Sequence, residues 1–229
     1  MSWSWRKMEN IQPGWDSYRD SEINRWKFDD NSDSSTAIDS TGSNDGTISG
    51  ATYTNSAQQG GYALDFSGSD IVEVTNTDVL TEFSYTLWVY PRSLSGQQTI
   101  IGQSDMSNSR NQRVMIDHSS TNTIEVVVYD GSNSYASIPS SELSTNTWNL
   151  IGASFSHDTN EHEIFLNGES KDKITVTSAE TSLSNITIGA TYNSDSLDTG
   201  FDGIVDDPRY WGKYLDEEEM SSIYRVYEL

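Results

Sequence analysis

Residues 201–224 read FDGIVDDPRYWGKYLDEEEMSSIY, and they tell more about the architecture than any other stretch of the chain. The first half predicts a β-strand, because Ile204 and Val205 point to opposite faces of an extended backbone. The apolar run of this strand ends at Tyr210 and Trp211. A Gly-Lys turn follows, and the second half predicts a short acidic helix near the C-terminus.

The start of this helix can be located from its charged residues. The Asp216 side chain can accept a hydrogen bond from the backbone N–H of Glu219, while Glu219 reaches back to Asp216 as in a capping box. Glu217 and Glu218 lie at the positive end of the helix dipole, where acidic side chains are favoured. The apolar side of the helix consists of Leu215, Met220, Ile223 and Tyr224. Capping therefore accounts for the acidic triplet without catalysis.

Short apolar segments recur along the chain and predict further strands. The Asn167-Gly168 dipeptide favours a two-residue hairpin turn between two of them. Many short strands separated by Ser, Asn, Gly and Asp clusters, with one helix, indicate an all-β sandwich rather than alternating α/β units. The additional strands are predicted at residues 83–89, 124–129, 151–155, 164–166, 173–177 and 186–189.

Several segments, taken in order, resemble laminin-G-like, concanavalin-A-like jelly-roll domains. The segments that carry the resemblance are RWKFDD at 25–30, DSTGSNDGTISGA at 39–51, GYALDFSGSD at 61–70, FSYTLWVYP at 83–91, TWNLIGASF at 147–155, EIFLNG at 163–168 and the closing stretch 201–224. The resemblance covers residues 25–229 and implies a two-sheet antiparallel jelly-roll sandwich with one short C-terminal helix. Because this fold hosts lectins, adhesins, enzyme appendages and structural parts, function has to be argued from the site.

Residues 1–24 lie outside the resemblance and form an aromatic-rich arm that contains Trp3, Trp5 and Trp15. The arm is too short for a core of its own. Either it packs back on its own sandwich, or it docks on a neighbouring subunit or a larger assembly, as aromatic-rich interface segments do. The second reading predicts an assembly arm and a homo-oligomer.

The charge of the chain indicates the kind of environment in which the protein works. Asp and Glu number 35 against 13 Lys and Arg, which gives a net charge of -22 spread along the sequence. Ordinary nucleic-acid binding is excluded, since phosphate contacts require basic side chains. Distributed acidity of this size is typical of adaptation to very high salt, where self-repulsion is screened. We infer a haloarchaeal source, or a virus of one; the alternative is an acidic extracellular protein.

The chain has no cysteine, so no disulfide or thiolate metal site supports the fold. It has no apolar run long enough for a membrane span, and the N-terminus lacks the apolar region of a signal peptide. Jelly rolls of this type usually act outside cells. The sequence therefore predicts assembly into a virus particle that is released by lysis, and localisation in the virion; the alternative is that a leader has been trimmed.

A cation site is the first chemical candidate. Asp39 and Asn44 lie in a glycine-containing loop, and oxygen ligands from such loops are how Ca²⁺ is commonly held. The family resemblance implies that this loop binds calcium together with the acidic residue of the closing strand, which is Asp206 here. We therefore expect a Ca²⁺ or Mg²⁺ site and no organic cofactor. The alternative is that Asp39 and Asn44 only form Asx-turns.

Glycan binding is the second candidate. Sugars are held by an aromatic face with polar side chains around it, and the chain has 7 Trp and 12 Tyr. Tyr129, Tyr135 and Tyr192 lie at strand ends or in loops rich in Asn, Ser, Asp and Gly, where a ligand can reach them. These three tyrosines are the predicted glycan-binding residues. The alternative is that they pack as ordinary, partly buried loop tyrosines.

Catalysis is not expected. Glycan hydrolases of this fold place two carboxylates on one strand face. Glu161 and Glu163 share a face, but they flank a hairpin with no aromatic platform in the sequence, so a solvated strand edge explains them better. His157 and His162 lack a third ligand for zinc. No nucleophile or phosphate-loop motif is present.

Two functional hypotheses follow. In the first, the chain is a non-enzymatic virion structural protein of a halophilic virus, such as a capsid turret, decoration, spike or tail-fibre component, which contacts host surface glycans and other virion proteins. In the second, it is a secreted or cell-surface carbohydrate-binding module of a halophile. A glycan hydrolase is a third alternative. No nucleic acid and no membrane insertion are expected in any of them.

Overall fold

The computed structural model describes residues 18–29, 34–42, 44–75, 78–104, 110–129, 132–176, 185–193 and 196–226. It confirms the predicted all-β sandwich, because two large antiparallel sheets face each other and one helix follows them. Trp3, Trp5 and Trp15 of the predicted arm lie outside the described residues. The first strand, Glu22–Arg25, crosses the predicted boundary between arm and sandwich.

The strands are short and numerous, as the turn-rich sequence predicts. In chain order they are β1 (Glu22–Arg25), β2 (Thr36–Ala37), β3 (Gly46–Ser49), β4 (Thr52–Thr54), β5 (Ala63–Ser67), β6 (Ile71–Val74), β7 (Glu82–Pro91), β8 (Gln98–Ser104), β9 (Arg110–Ile116), β10 (Ile124–Tyr129), β11 (Asn133–Ser137), β12 (Asn149–Ser156), β13 (Glu161–Leu166), β14 (Glu169–Thr175), β15 (Asn185–Ile188), β16 (Thr191–Asn193), β17 (Ser196–Asp198) and β18 (Asp202–Trp211). Helix α1 spans Glu217–Val226, and two short 3₁₀ helices lie at Arg19–Ser21 and Ser140–Glu142.

The first sheet has the strand order β14-β13-β12-β7-β18-β5-β4, with β1 also paired to β18. The second has the order β11-β10-β9-β8-β15-β6-β3-β2, and β16 and β17 form a separate two-stranded sheet. Sequence neighbours such as β7 and β8 belong to different sheets, as in a jelly roll. No helix in the described part of the chain is long and apolar enough to cross a membrane.

The space between the sheets is filled by alternating apolar side chains of both sheets. On β7, Phe83 and Tyr85 point into this space, and Phe83 stacks on Phe155 of β12 with ring centroids 4.7 Å apart. On β10, Val126 and Val128 belong to the same core. Since side chains alternate along a strand, the residues between them face outward.

Helix α1 begins with the predicted capping box. The backbone N–H of Glu219 donates to Asp216 Oδ1 at 2.9 Å, and the backbone N–H of Asp216 donates to Glu219 Oε2 at 3.2 Å. The apolar side of the helix covers the outer face of the first sheet. The buried residues of this second cluster are Tyr18, Trp88, Leu150, Phe165, Trp211, Leu215, Met220 and Ile223.

The predicted hairpin turn at Asn167-Gly168 is present, with φ of 52° and 81°. Two successive positive φ angles are the mark of a type I′ turn, which Asn-Gly favours. The return strand β14 begins at Glu169, earlier than the predicted segment 173–177, because the tight turn allows pairing to start at once. An added Cβ at Gly168 would lie 2.8 Å from Cα of Ser221, so this turn packs directly on α1.

Candidate functional site

A concave site lies beside the edge strand β11. It has a volume of about 310 Å³. We call it the hydroxyl pocket; its lining includes Tyr135 and the side chains of Ser119, Thr121, Thr123, Ser137 and Ser140. An aromatic ring next to several alcohol groups combines an apolar surface with donors and acceptors.

The register of the sheet explains why Tyr135 faces solvent. Tyr135 of β11 lies opposite Val127 of β10, on the face directed away from the core. Tyr129 lies two residues along β10 on that same face, so the two rings occupy diagonal positions on neighbouring strands. Tyr135 is 42% exposed and Tyr129 is 47% exposed. The ring centroids of His118 and Tyr135 lie 6.0 Å apart.

Two serines that line the hydroxyl pocket are positioned by Glu125, which is fully buried and does not itself line the pocket. Its carboxylate accepts hydrogen bonds from the backbone N–H of Ser119 at 2.9 Å, from the Ser119 hydroxyl, and from the Ser137 hydroxyl at 3.2 Å. Thr123 Oγ1 donates to the backbone carbonyl of Ile138. These bonds fix the positions of the hydroxyl groups before any ligand arrives.

The loop at 117–123 is held in place by Asp117. Asp117 Oδ1 accepts from the backbone N–H of Asn122, and Oδ2 accepts from that of Gly96, both at 2.8 Å. Asp117, Ser120 and Asn122 all have positive φ, which Asp and Asn tolerate better than most residues. The loop that carries Ser119, Thr121 and Thr123 is therefore held at both ends by hydrogen bonds to one carboxylate.

Tyr192 lies apart from the other two predicted tyrosines. Its hydroxyl donates to Glu73 Oε1 of β6 at 2.7 Å, and burial together with this bond raises the pKa of Tyr192 to about 12. Five strand steps separate β6 from β11 in the second sheet, which corresponds to about 24 Å. The structure thus brings Tyr129 and Tyr135 together and places Tyr192 elsewhere.

Asp39 is already fully engaged with the protein. Its Oδ1 accepts from the backbone N–H of Arg25 and of Thr41, both at 3.0 Å, and from the Thr41 hydroxyl at 2.9 Å. Its Oδ2 accepts from the Asn24 side chain at 2.6 Å and from the backbone N–H of Asn44 at 3.3 Å. These donors hold the pKa of Asp39 below its usual value, although burial acts in the opposite direction. N–H groups directed at both oxygens do not fit a cation.

One oxygen of Asp206 accepts hydrogen bonds from backbone N–H groups, as both oxygens of Asp39 do. Asp206 is fully buried, and its Oδ2 accepts from the backbone N–H groups of Gln58 at 2.8 Å and Gln59 at 2.7 Å. Its Oδ1 has no hydrogen-bond partner among the described residues. Burial raises the pKa of Asp206 to about 7. In the described ranges, no group of three or more His, Asp or Glu side chains could hold a metal ion. The cation proposal for Asp39, Asn44 and Asp206 therefore gains no support from this geometry.

Glu163 differs from the solvated edge residue that the sequence predicts. It is buried, because the strand β14 and the segment before α1 cover it. The hydroxyl groups of Ser170 and Tyr214 donate to its carboxylate, and Lys173 Nζ lies 3.0 Å away. Burial and Glu163 raise the pKa of Tyr214 well above its usual value. Glu163 thus links β14 to the segment before α1 through the hydrogen bonds from Ser170 and Tyr214.

The sequence did not identify the hydroxyl groups that surround Tyr135. The Ser- and Thr-rich run at 118–123 was the available signal. It could not be used, because the strand register that brings Ser137 and Ser119 to the same carboxylate is not visible in a single sequence.

Comparison with known proteins identifies the family. The chain belongs to the laminin-G family described as the concanavalin A-like lectin/glucanase superfamily, whose family model matches residues 66–221. A search of curated proteins found no match.

Solved structures show the same fold. One of them is domain 4 of AbnA, an extracellular arabinanase from Geobacillus stearothermophilus, solved in complex with arabinotriose. It is 20% identical to this chain with a TM-score of 0.62, and the match covers 89% of this chain and 98% of that one. The binding domain of botulinum neurotoxin serotype D is 19% identical with a TM-score of 0.66, covering 92% of this chain and 53% of that one. The same serotype's ligand-binding domain in complex with N-acetylneuraminic acid is 17% identical, with a TM-score of 0.66 and coverage of 92% and 52%. This chain therefore spans about half the length of the toxin domains.

Proposed function

We propose that this chain is a non-enzymatic glycan-binding domain whose binding site is the hydroxyl pocket. The observation that carries the proposal is an exposed tyrosine ring, Tyr135, beside a cavity of about 310 Å³ lined by hydroxyl groups. That volume lies within the range of small-ligand sites. The arabinanase domain, which is similar over nearly its whole length and was solved with arabinotriose, supports the same class of ligand.

The proposed binding mode follows from the chemistry of the lining. The apolar face of a sugar ring packs on Tyr135, and Tyr129 extends the aromatic surface along the hairpin of β10 and β11. The hydroxyl groups of Ser119 and Ser137 can accept hydrogen bonds from sugar hydroxyls, because their own hydrogens are directed to Glu125. Neutral sugars therefore fit this pocket.

The buried position of Glu125 supports binding rather than catalysis. Hydrolysis requires one carboxyl group that transfers a proton and a second that acts on the other side of the glycosidic bond. Glu125 is fully buried and accepts three hydrogen bonds, so it positions hydroxyl groups and is not available to a glycosidic oxygen.

Replacing Tyr135 with Ala should weaken glycan binding by about five- to thirtyfold, because loss of an aromatic contact of this kind costs on the order of 1–2 kcal/mol. Binding is measured by isothermal titration calorimetry and by ¹H–¹⁵N NMR with arabinotriose and a panel of neutral oligosaccharides. Tyr62→Ala is the matched control, because Tyr62 is 36% exposed but lies beside β5 of the first sheet.

We expect the Tyr62→Ala variant to bind as the wild type does. The proposal is wrong if no neutral oligosaccharide binds to the wild-type protein, or if both tyrosine variants lose affinity equally. Far-UV circular dichroism confirms that each variant is folded.

We further propose that the domain is a surface component of a virus particle from a halophilic host, where it contacts host glycans; a secreted or cell-surface binding module is the alternative. The charge of -22 supports a high-salt setting. Purified protein in molar KCl should form discrete homo-oligomers, seen by light scattering and negative-stain microscopy. Monomers alone at every concentration would favour the binding module instead.

A further inference from the structure

A second cavity lies where β1, β18 and the end of α1 meet. Its volume is about 430 Å³, and it belongs to the first sheet, whereas the hydroxyl pocket belongs to the edge of the second. We call it the arginine pocket; the lining residues used below are Arg19, Glu22, Arg25, Gln59, Arg209 and Trp211.

The charge of the arginine pocket is opposite to that of the chain. The chain has 35 acidic and 13 basic residues, yet three arginines and one glutamate line this cavity. Asp207 lies against two of the arginines. Lys27 acts on Glu22 and Asp29 acts on Arg25, so these two further charges cancel. The three guanidinium groups against the carboxylates of Glu22 and Asp207 then leave one positive charge when all are ionised. An anion is therefore attracted here, although the chain as a whole carries a net negative charge.

The guanidinium groups of Arg25 and Arg209 are fixed in place by Asp207, which is 2% exposed. Arg25 donates from Nε to Asp207 Oδ1 at 2.7 Å and from Nη2 to Oδ2 at 3.0 Å, while Arg209 Nη2 donates to Oδ2 at 2.6 Å. The Arg209 guanidinium also lies over the ring of Trp211, with its carbon 5.8 Å from the ring centroid. A guanidinium has five N–H donors, so Arg25 retains donors after binding Asp207.

We propose that the arginine pocket binds a small monoanionic ligand, namely the carboxylate-bearing ring of a uronic acid sugar. An arginine fork binds a carboxylate with two parallel hydrogen bonds. A single net positive charge favours a monoanion over a phosphate dianion, since Glu22 and Asp207 repel the second charge. Gln59 offers a planar amide for the sugar hydroxyls, and Trp211 with Ile223 provides an apolar wall.

Glu22 is an acidic residue inside the arginine pocket, and it affects the affinity of the pocket for anions. Its carboxylate lies 3.7 Å from Arg209 Nη1 and lines the cavity. Burial raises the pKa of Glu22, while Arg209 and Arg25 act in the opposite direction. When Glu22 is ionised it competes with the ligand for Arg209, so its removal should strengthen anion binding.

The test uses sodium glucuronate as the anionic probe and methyl glucoside as the neutral probe. Each is titrated into the full-length protein and followed by NMR. The salt concentration is the lowest one at which the circular dichroism spectrum of the folded protein is preserved. Arg19→Gln should weaken glucuronate binding at least about fivefold, and Glu22→Gln should strengthen it by a factor of about two to five. Arg225→Gln is the matched control, because Arg225 is exposed and does not line the cavity. It should bind as the wild type does.

A gain of affinity in Glu22→Gln cannot come from structural damage, which makes that variant the decisive one. Absence of saturable glucuronate binding, equal losses in the Arg19 and Arg225 variants, or weaker binding by Glu22→Gln overturns the proposal. The inference is independent of the hydroxyl pocket, so Tyr135→Ala should leave glucuronate binding unchanged. Equal affinity for methyl glucoside would show that the carboxylate is not recognised, and would also overturn it.

Discussion

Replacing Asp206 with Asn should make the folded protein more stable at neutral and alkaline pH and leave its stability near pH 4 unchanged. Asp206 is fully buried, and burial raises its pKa to about 7, with Asp207 and Asp29 acting in the same direction. The asparagine keeps an oxygen that accepts the backbone N–H groups of Gln58 and Gln59. It removes the buried charge, and its amide nitrogen takes the position of Oδ1, which has no hydrogen-bond partner among the described residues.

The direction of the pH effect follows from proton binding. In the unfolded chain the pKa of this carboxyl is near 3.8, so between about pH 4 and 7 the folded state holds a proton that the unfolded state has lost. The stability from Asp206 is therefore complete below about pH 4 and is lost as pH rises to about 7, by at most about 4 kcal/mol. At about pH 8 the variant should exceed the wild type by roughly 2–4 kcal/mol.

Urea unfolding at constant salt, at about pH 4, 6 and 8, measures this difference. Asp158→Asn is the control, because Asp158 is an exposed turn residue. If the Asp206→Asn and wild-type stabilities run parallel across this range, the buried carboxyl does not titrate as described.

Replacing Asp207 with Ala should lower the free energy of unfolding by about 3–5 kcal/mol, because it leaves two partly buried arginines without their shared partner. Asp207 is 2% exposed and binds both Arg25 and Arg209. Its φ of 48° adds to the cost, since alanine tolerates this conformation poorly. Asp207→Asn keeps an acceptor and tolerates positive φ, so it should lose less.

Asp202→Ala is the matched control on the same strand. Asp202 is half exposed and pairs with Arg92 at 3.1 Å, and an exposed pair of this kind contributes no more than about 1 kcal/mol. The urea midpoints of the three variants, measured at constant salt, give the loss of stability caused by each substitution. Equal losses for Asp207→Ala and Asp202→Ala would show that the buried network adds nothing to stability.

The fold could be predicted because its signals are local. The Asn167-Gly168 dipeptide specifies its turn through two positive φ angles, and the Asp216–Glu219 box specifies a helix start through bonds within one turn of backbone. The alternation of core-facing and outward-facing residues at 83–89 also predicted a core strand, because this pattern is contained in the local sequence.

The arrangement around Asp206 and Asp207 could not be predicted, because a β-bulge interrupts the alternation. Between Asp206 and Arg209 the strand β18 advances one residue more than its partner β7, and Asp207 adopts positive φ. Strict alternation would direct one of two consecutive aspartates into the apolar space between the sheets, whereas the bulge keeps both on the outer face of the first sheet, where both are buried. The hydroxyl pocket and the buried position of Glu163 depend likewise on pairings between distant segments.

The placement of the two cavities on different sheets has a consequence for long polymers. A short oligosaccharide can occupy one cavity at a time, whereas a polysaccharide that carries both neutral and uronic acid units can wrap around the sandwich and occupy both. The second contact is then intramolecular, and its effective concentration depends on the length of chain between the two units. On the proposals above, affinity should therefore rise steeply once a polymer is long enough to span both sites, with no new contact in either.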